Sequence, residues 1–99
     1  MEFEVLPPAV RPGQPFVVRI HLLNDGRKTV KIRGLELAAV VDGRRVPARA
    51  KPLQKEVRAQ SRALVAEYSG VWNAPREWAL EAVVTADKDE TVRSRLKAN

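Results

Sequence analysis

The chain has 99 residues, with 18 Lys and Arg against 12 Asp and Glu, one His and no Cys, for a net charge of +6. That length supports a single domain, residues 1–99, and 44% hydrophobic residues are enough for a packed core. The composition excludes disulfides, a thiol nucleophile and a Cys-type zinc site; Leu37–Val41, the longest uncharged apolar run, is too short to cross a bilayer, and the acidic, proline-interrupted start does not read as a signal peptide.

Period-two alternation runs through the chain. A short edge strand is predicted near Phe3–Leu6, ahead of Pro7, Pro8, Pro12, Gly13 and Pro15, which exclude helix there. Phe16, Val18, Ile20 and Leu22 then share one face of a second strand and Val17, Arg19, His21 and Leu23 the other. Asn24-Asp25-Gly26 ends it, because these residues tolerate the positive φ of a tight reversal.

Val30 and Ile32, followed by Leu35, Leu37, Ala39 and Val41, form the next apolar set, and the run stops at Asp42-Gly43. Asp-Gly between two alternating stretches predicts a two-residue hairpin, placing Val41 opposite Arg44, Ala39 opposite Val46 and Leu37 opposite Ala48. Opposed residues share a face, so Val46, Ala48 and Ala50 should point inward and Arg45, Pro47, Arg49 and Lys51 outward. Pro47 has no N–H for a ladder, which puts this arm at a sheet edge.

Beyond it the apolar parity changes, from Val57, Ala59, Ser61 and Ala63 to Leu64, Ala66 and Tyr68. Either a bulge falls near Arg62–Leu64 or a strand begins there, and a helix over 52–69 is the alternative, given its Ala, Leu, Gln, Lys, Glu and Arg content. Trp78, Leu80, Ala82 and Val84 face inward on the following strand, with Glu81 and Thr85 outward. Asp87-Lys88-Asp89-Glu90 makes a turn, after which Val92, Ser94 and Leu96 face the core and Thr91, Arg93, Arg95 and Lys97 the solvent. The expected fold is all-β: a two-sheet antiparallel immunoglobulin-like β-sandwich of about seven strands, with Phe16, Tyr68 and Trp78 as its large core residues.

The order of these features resembles a known family. Gly13, the Phe16/Val18/Ile20/Leu22 strand, Asn24-x-Gly26, Asp42-Gly43 with Val46, Trp72, the Trp78/Leu80/Ala82/Val84 strand and Asp87 are similar to the bacterial CARDB modules (cell-adhesion-related domains), over roughly residues 5–92. The last strand departs from that pattern, carrying Arg93, Arg95 and Lys97 where an acidic, Asn-rich strand is expected, so no acidic-ligand or calcium role carries over to it. The resemblance implies a non-catalytic accessory or protein-interaction module of a larger bacterial protein, in an extracytoplasmic setting, facing another protein or a neighbouring domain. Fold analogy alone does not assign a function.

Groups that could carry chemistry are few. His21, the sole histidine, falls on the solvent parity of its strand, and Ser61, Ser69 and Ser94 lie in no nucleophile-elbow context. Glu77 and Glu81 flank Trp78 in the manner of a carboxylate pair but read as surface charges. Asp87, Asp89 and Glu90 form the densest acidic cluster, interrupted by Lys88 and lacking the glycine of a calcium loop, so it reads as a hairpin turn. The glycines are scattered, which excludes a phosphate loop, and one histidine without cysteine makes no zinc set; no cofactor is expected. Trp72 reads as a core residue at a strand end rather than a stacking platform.

The charge is the strongest functional signal. Residues 27–62 hold eleven basic side chains and three acidic ones, +8, while 1–26 and 63–99 each sum to −1. Arg45, Arg49 and Lys51 share an outward parity, and Lys31 and Arg33 extend the same surface, making the expected anion or partner face. The second functional expectation is therefore a binder of anionic polymer, nucleic acid or acidic polysaccharide, without interleaved aromatics and hence salt-sensitive and sequence-independent. The competing role for the same cations is to keep an open sheet edge from pairing with other chains. An enzyme ranks last among the three.

Overall fold

Strands whose alternate residues are apolar must bury that face against another sheet, and the chain does so twice. The structure, a computed structural model, describes residues 1–9, 11–71, 78–87 and 91–98. Among them are nine strands: β1 (Glu2–Leu6), β2 (Pro15–Asn24), β3 (Val30–Val41), β4 (Arg44–Ala48), β5 (Lys51–Pro52), β6 (Glu56–Val57), β7 (Ser61–Val71), β8 (Trp78–Ala86) and β9 (Thr91–Ala98). Seven have five residues or more, as the turn spacing predicts; β5 and β6 are two-residue pairings. No helix forms over 52–69, so the strand alternative holds there. No helix among the described residues is long and apolar enough to cross a membrane.

The strands form two antiparallel sheets, one in the order β1-β2-β7-β5 and one in the order β4-β3-β8-β9, with β6 also on β3. The inner faces meet in one cluster: Phe16, Val18, Ile20 and Leu22 from β2 and Ala63, Val65 and Ala66 from β7 pack against Leu37, Trp78, Leu80, Ala82 and Val84. The result is a β-sandwich 44 × 24 × 18 Å, whose smallest extent suits two sheets packed about 10 Å apart with their side chains. Aromatic rings join the layers at one end. Phe16 meets Trp78 of the other sheet edge-on at 5.1 Å and lies 6.2 Å from Tyr68. Gly70 makes room for them, since a Cβ there would stand 3.0 Å from the Tyr68 ring and 3.1 Å from Phe16.

The Asp42-Gly43 hairpin forms in the expected register, with Val41 opposite Arg44 and Leu37 opposite Ala48. Both turn residues have positive φ, 50° and 77°, which matches the twist of the flanking strands. The reversal after β2 is made differently. No residue of Asn24-Asp25-Gly26 has positive φ. Instead the buried Asn24 side chain organises it: Oδ1 accepts the Gly26 N–H at 3.0 Å, and Nδ2 donates to the carbonyls of Lys28 (2.8 Å) and Val57 (3.0 Å). One amide thus closes the turn and ties β2 to β6, across the two sheets.

Two bulges explain the changes of apolar parity. On β3 the register skips Arg33, moving from Ile32–Ala86 to Gly34–Thr85, so Ile32 and Leu35 both pack against the core. On β7 it skips Val65, which leaves Ala63, Val65 and Ala66 all buried. This second bulge lies one position beyond the predicted Arg62–Leu64 window, and it turns Leu64 to the side of His21, away from the Ala66 and Tyr68 face.

Candidate functional site

Alternation along β4 predicts a row made by Arg45, Arg49 and Lys51, and the structure does not build it. Strand β4 ends at Ala48. Ala48 and Ala50 both lean on the core, and the chain crosses between them to the other sheet, where Lys51 pairs with Glu67 of β7. The Leu53 and Gln54 amides continue along β7, donating to the carbonyls of Val65 and Leu64. Two small alanines make this switch possible, because neither needs a deep pocket and the backbone can pass close to the core. The five predicted residues therefore separate. Arg45 lies on β4 and Lys51 on β5 of the opposite sheet, while Arg49 is exposed on the link between those strands. Lys31 and Arg33 are exposed on β3, Lys31 opposite Glu56 and Arg33 at the bulge. The Lys31 N–H also donates to the Asp87 carboxylate at 3.0 Å.

Val46, expected to face inward, is 47% exposed. It sits on an outermost strand, and β5, joined to β4 by two residues, is too short to cover it. Val92 is similarly 37% exposed on the edge strand β9, while Leu96 of the same strand does pack against the core.

Register places different residues together. On the outer face of the five-stranded sheet, Ala38 and Val40 of β3 lie beside Glu81 and Ala79 of β8, and Val83 stands between Glu36 and Arg93. Ala38 and Ala79 are buried on this face although they point away from the core. Arg45 reaches from β4 to Glu81, Nη1 to Oε2 at 3.0 Å, and Arg95 of β9 stands opposite Glu81 from the other side. An open cleft of about 310 Å³ lies between Arg45, Glu81, Val83, Arg93 and Arg95. A second, of about 460 Å³, continues across Arg45 to Glu36, Ala38 and Pro47. Among the described residues neither Arg93 nor Arg95 has an ion-pair partner. Alternation along β9 turns both to solvent but does not join them to Arg45, because the connection exists only through β3 and β8. The alternation of β9 with two arginines was the available signal.

The outer face of the four-stranded sheet is neutralised instead. Glu4, Arg19, Glu67 and Lys51 stand in one register line across β1, β2, β7 and β5. Arg19 lies 3.8 Å from Glu4 and 3.5 Å from Glu67, and Arg62 pairs with Glu2 at 3.1 Å. His21 belongs to this face, its Nε2 3.6 Å from Glu4 and without a hydrogen bond. The Ser61 hydroxyl donates to the Arg58 carbonyl at 2.7 Å. A third cleft, about 430 Å³, has Lys55, Arg58 and Arg62 on its walls together with Glu56.

Among the described residues no group of three or more His, Asp or Glu could hold a metal ion. Burial pushes the Tyr68 phenol above its ordinary value, as desolvation disfavours the phenolate. Trp72, Glu77, Lys88, Asp89 and Glu90, and the Lys97 side chain, lie outside the described residues. Comparison with known proteins gives no matching family, no matching curated protein and no matching solved structure.

Proposed function

We propose that this domain is a non-catalytic, immunoglobulin-like accessory module, of the kind the CARDB resemblance implies, that holds an acidic partner protein on the outer face of its five-stranded sheet. One observation carries the reading: Arg45, Arg93 and Arg95 surround a strip of Ala38, Val40, Ala79 and Val83, two of them buried. Arginine beside small apolar surface suits a protein interface, because its planar fork binds carboxylates and its stem covers hydrocarbon. The second reading, an anionic polymer, is favoured by the Lys55, Arg58 and Arg62 cleft. Among the described residues that reading finds no stacking surface, since Phe3, Phe16, Tyr68 and Trp78 all pack with the core.

The test compares an alternating Glu-Val octapeptide with heparin and duplex DNA, against the wild type and an Arg45→Glu/Arg93→Glu/Arg95→Glu variant. Peptide binding that persists at physiological salt and is lost in the variant supports the partner-protein reading. Heparin or DNA bound more tightly than the peptide at that salt, and unaffected by the three reversals, overturns it in favour of the polymer.

A further inference from the structure

The edges of the two sheets are not equivalent. A strand edge accepts another chain only where consecutive alternate residues present free N–H and C=O groups. Strand β1 is five residues long, carries Glu2 and Glu4, and runs into Pro7-Pro8. Strand β4 contains Pro47, which has no N–H to offer, and β5 has only Lys51 and Pro52. Strand β9 is charged as well, through Arg93 and Arg95, but differs in length and in its lack of proline. It pairs with β8 from Thr85–Thr91 to Trp78–Ala98 without a register shift, contains no proline, and has no strand on its outer side among the described residues.

The charges indicate what would fit there. Across the four-stranded sheet the signs alternate strand by strand, Glu4, Arg19, Glu67, Lys51. Across the five-stranded sheet the line from β8 to β9 is Glu81 then Arg95; both lines end on an edge cation, but Lys51 sits on a two-residue strand beside Pro52 and Arg95 on an eight-residue strand without proline. The Glu81 carboxylate is already held by Arg45 at 3.0 Å. An acid on the next strand would continue the alternation, and a second one would meet Arg93. The other face of β9 holds Val92, 37% exposed, and Leu96, which calls for apolar residues between the acids. A second copy of β9 is a poor occupant: antiparallel pairing centred on Ser94 sets Arg93 of one chain against Arg95 of the other, and like charges directly opposed are unfavourable.

We infer that β9 is a strand-addition site for an extended acidic segment of a partner protein, with Asp or Glu at every second position and apolar residues between them. Main-chain hydrogen bonds to the β9 edge supply the attraction, Arg93 and Arg95 select the acidic residues, and Val92 is covered by the apolar ones. This inference rests on the partner-protein reading above and specifies how the partner is held.

The experiment uses the same Glu-Val octapeptide, a Lys-Val octapeptide, and a Glu-Val peptide N-methylated at alternate residues on one edge or on the other. Titration of the intact chain should show binding of Glu-Val and not of Lys-Val. Methylation on the edge that faces β9 should weaken binding by about tenfold or more, whereas methylation on the opposite edge should leave it nearly unchanged. Amide exchange over 91–96 should slow in the complex, and Arg93→Glu/Arg95→Glu should reduce affinity by a comparable factor. Equal binding of all three Glu-Val peptides overturns strand addition while leaving an acidic-partner face in place. Failure of every Glu-Val peptide to bind removes that face as well. A dimer of the free protein, dissociated by Ser94→Pro with the fold retained, would assign the edge to a second copy and also overturn the inference.

Discussion

The outer faces of the two sheets use the same residue types to opposite effect. On the four-stranded sheet Arg19 lies within ion-pair distance of both Glu4 and Glu67, and Arg62 pairs with Glu2. On the five-stranded sheet small apolar residues occupy the middle, Arg45 takes Glu81, and Arg93 and Arg95 stand at the edge without a partner among the described residues. The contrast shows that the sequence-level excess of charge in residues 27–62 does not mark one surface. That segment supplies Lys51 to one sheet and Arg45 to the other, while Arg93 and Arg95, which flank the apolar strip of the five-stranded sheet, come from β9, a part of the chain whose net charge is slightly negative. Cross-strand register, rather than local density, decides which cations are satisfied.

The comparison presupposes that both sheets are held by one core, and Trp78→Ala tests that most severely. The indole packs edge-on to Phe16 across the sheet interface, so truncation should destabilise by about 3–5 kcal/mol in a denaturant titration and lower both sheets in one transition. A loss below about 1 kcal/mol, or two separate transitions, would mean the sheets do not depend on each other.

Asn24 is the second link between the sheets. Asn24→Ala leaves the Val57 carbonyl without its side-chain donor and should cost about 1–3 kcal/mol, read in the same titration. Asn24→Asp should not rescue it, because a carboxylate cannot donate to the Lys28 and Val57 carbonyls. Full stability in the Asp variant would show that turn geometry, not the inter-sheet bond, is what Asn24 provides.

The two faces themselves are separated by smaller effects. A double-mutant cycle on Arg19 and Glu67 should give a favourable coupling of about 0.2–1 kcal/mol that fades with salt. Arg93→Ala and Arg95→Ala should change stability by less than about 0.5 kcal/mol, since neither has an ion-pair partner among the described residues. Equal losses at both faces would erase the distinction. The smallest effect is confined to alkaline pH. Since the folded Tyr68 phenol titrates above its ordinary 10.0, its contribution is complete below that pH and is lost as pH rises beyond it, when the unfolded chain ionises first. Tyr68→Phe should flatten this alkaline fall in stability; an unchanged profile would show that burial of the phenol does not matter to the fold.

Much of the architecture was legible because strand alternation and turn chemistry act over a few residues. Phe16, Val18, Ile20 and Leu22 are all buried, as are Trp78, Leu80, Ala82 and Val84, and Asp42-Gly43 adopts the positive φ angles that its residues accept most readily. Parity reasoning failed where its premise of an unbroken strand failed. The bulges at Arg33 and Val65 each insert one residue without a cross-strand partner, which changes which residues point inward. The passage of the chain through Arg49 and Ala50 into the other sheet scattered a row of cations that continuous alternation predicts.

By itself, then, the sequence determined that this chain makes antiparallel strands with one apolar face each, where the central hairpin turns, and that Phe16 and Trp78 enter the core, because each follows from side-chain period and local backbone preference. Only the tertiary structure decided which charges meet. Arg45 finds Glu81 36 residues away, Asn24 finds the Val57 carbonyl 33 residues away, and Arg95 is set opposite Glu81 on an outermost strand. Those distances along the chain are closed by strand order and register, which depend on how all the apolar faces are buried at once, and no local pattern specifies them.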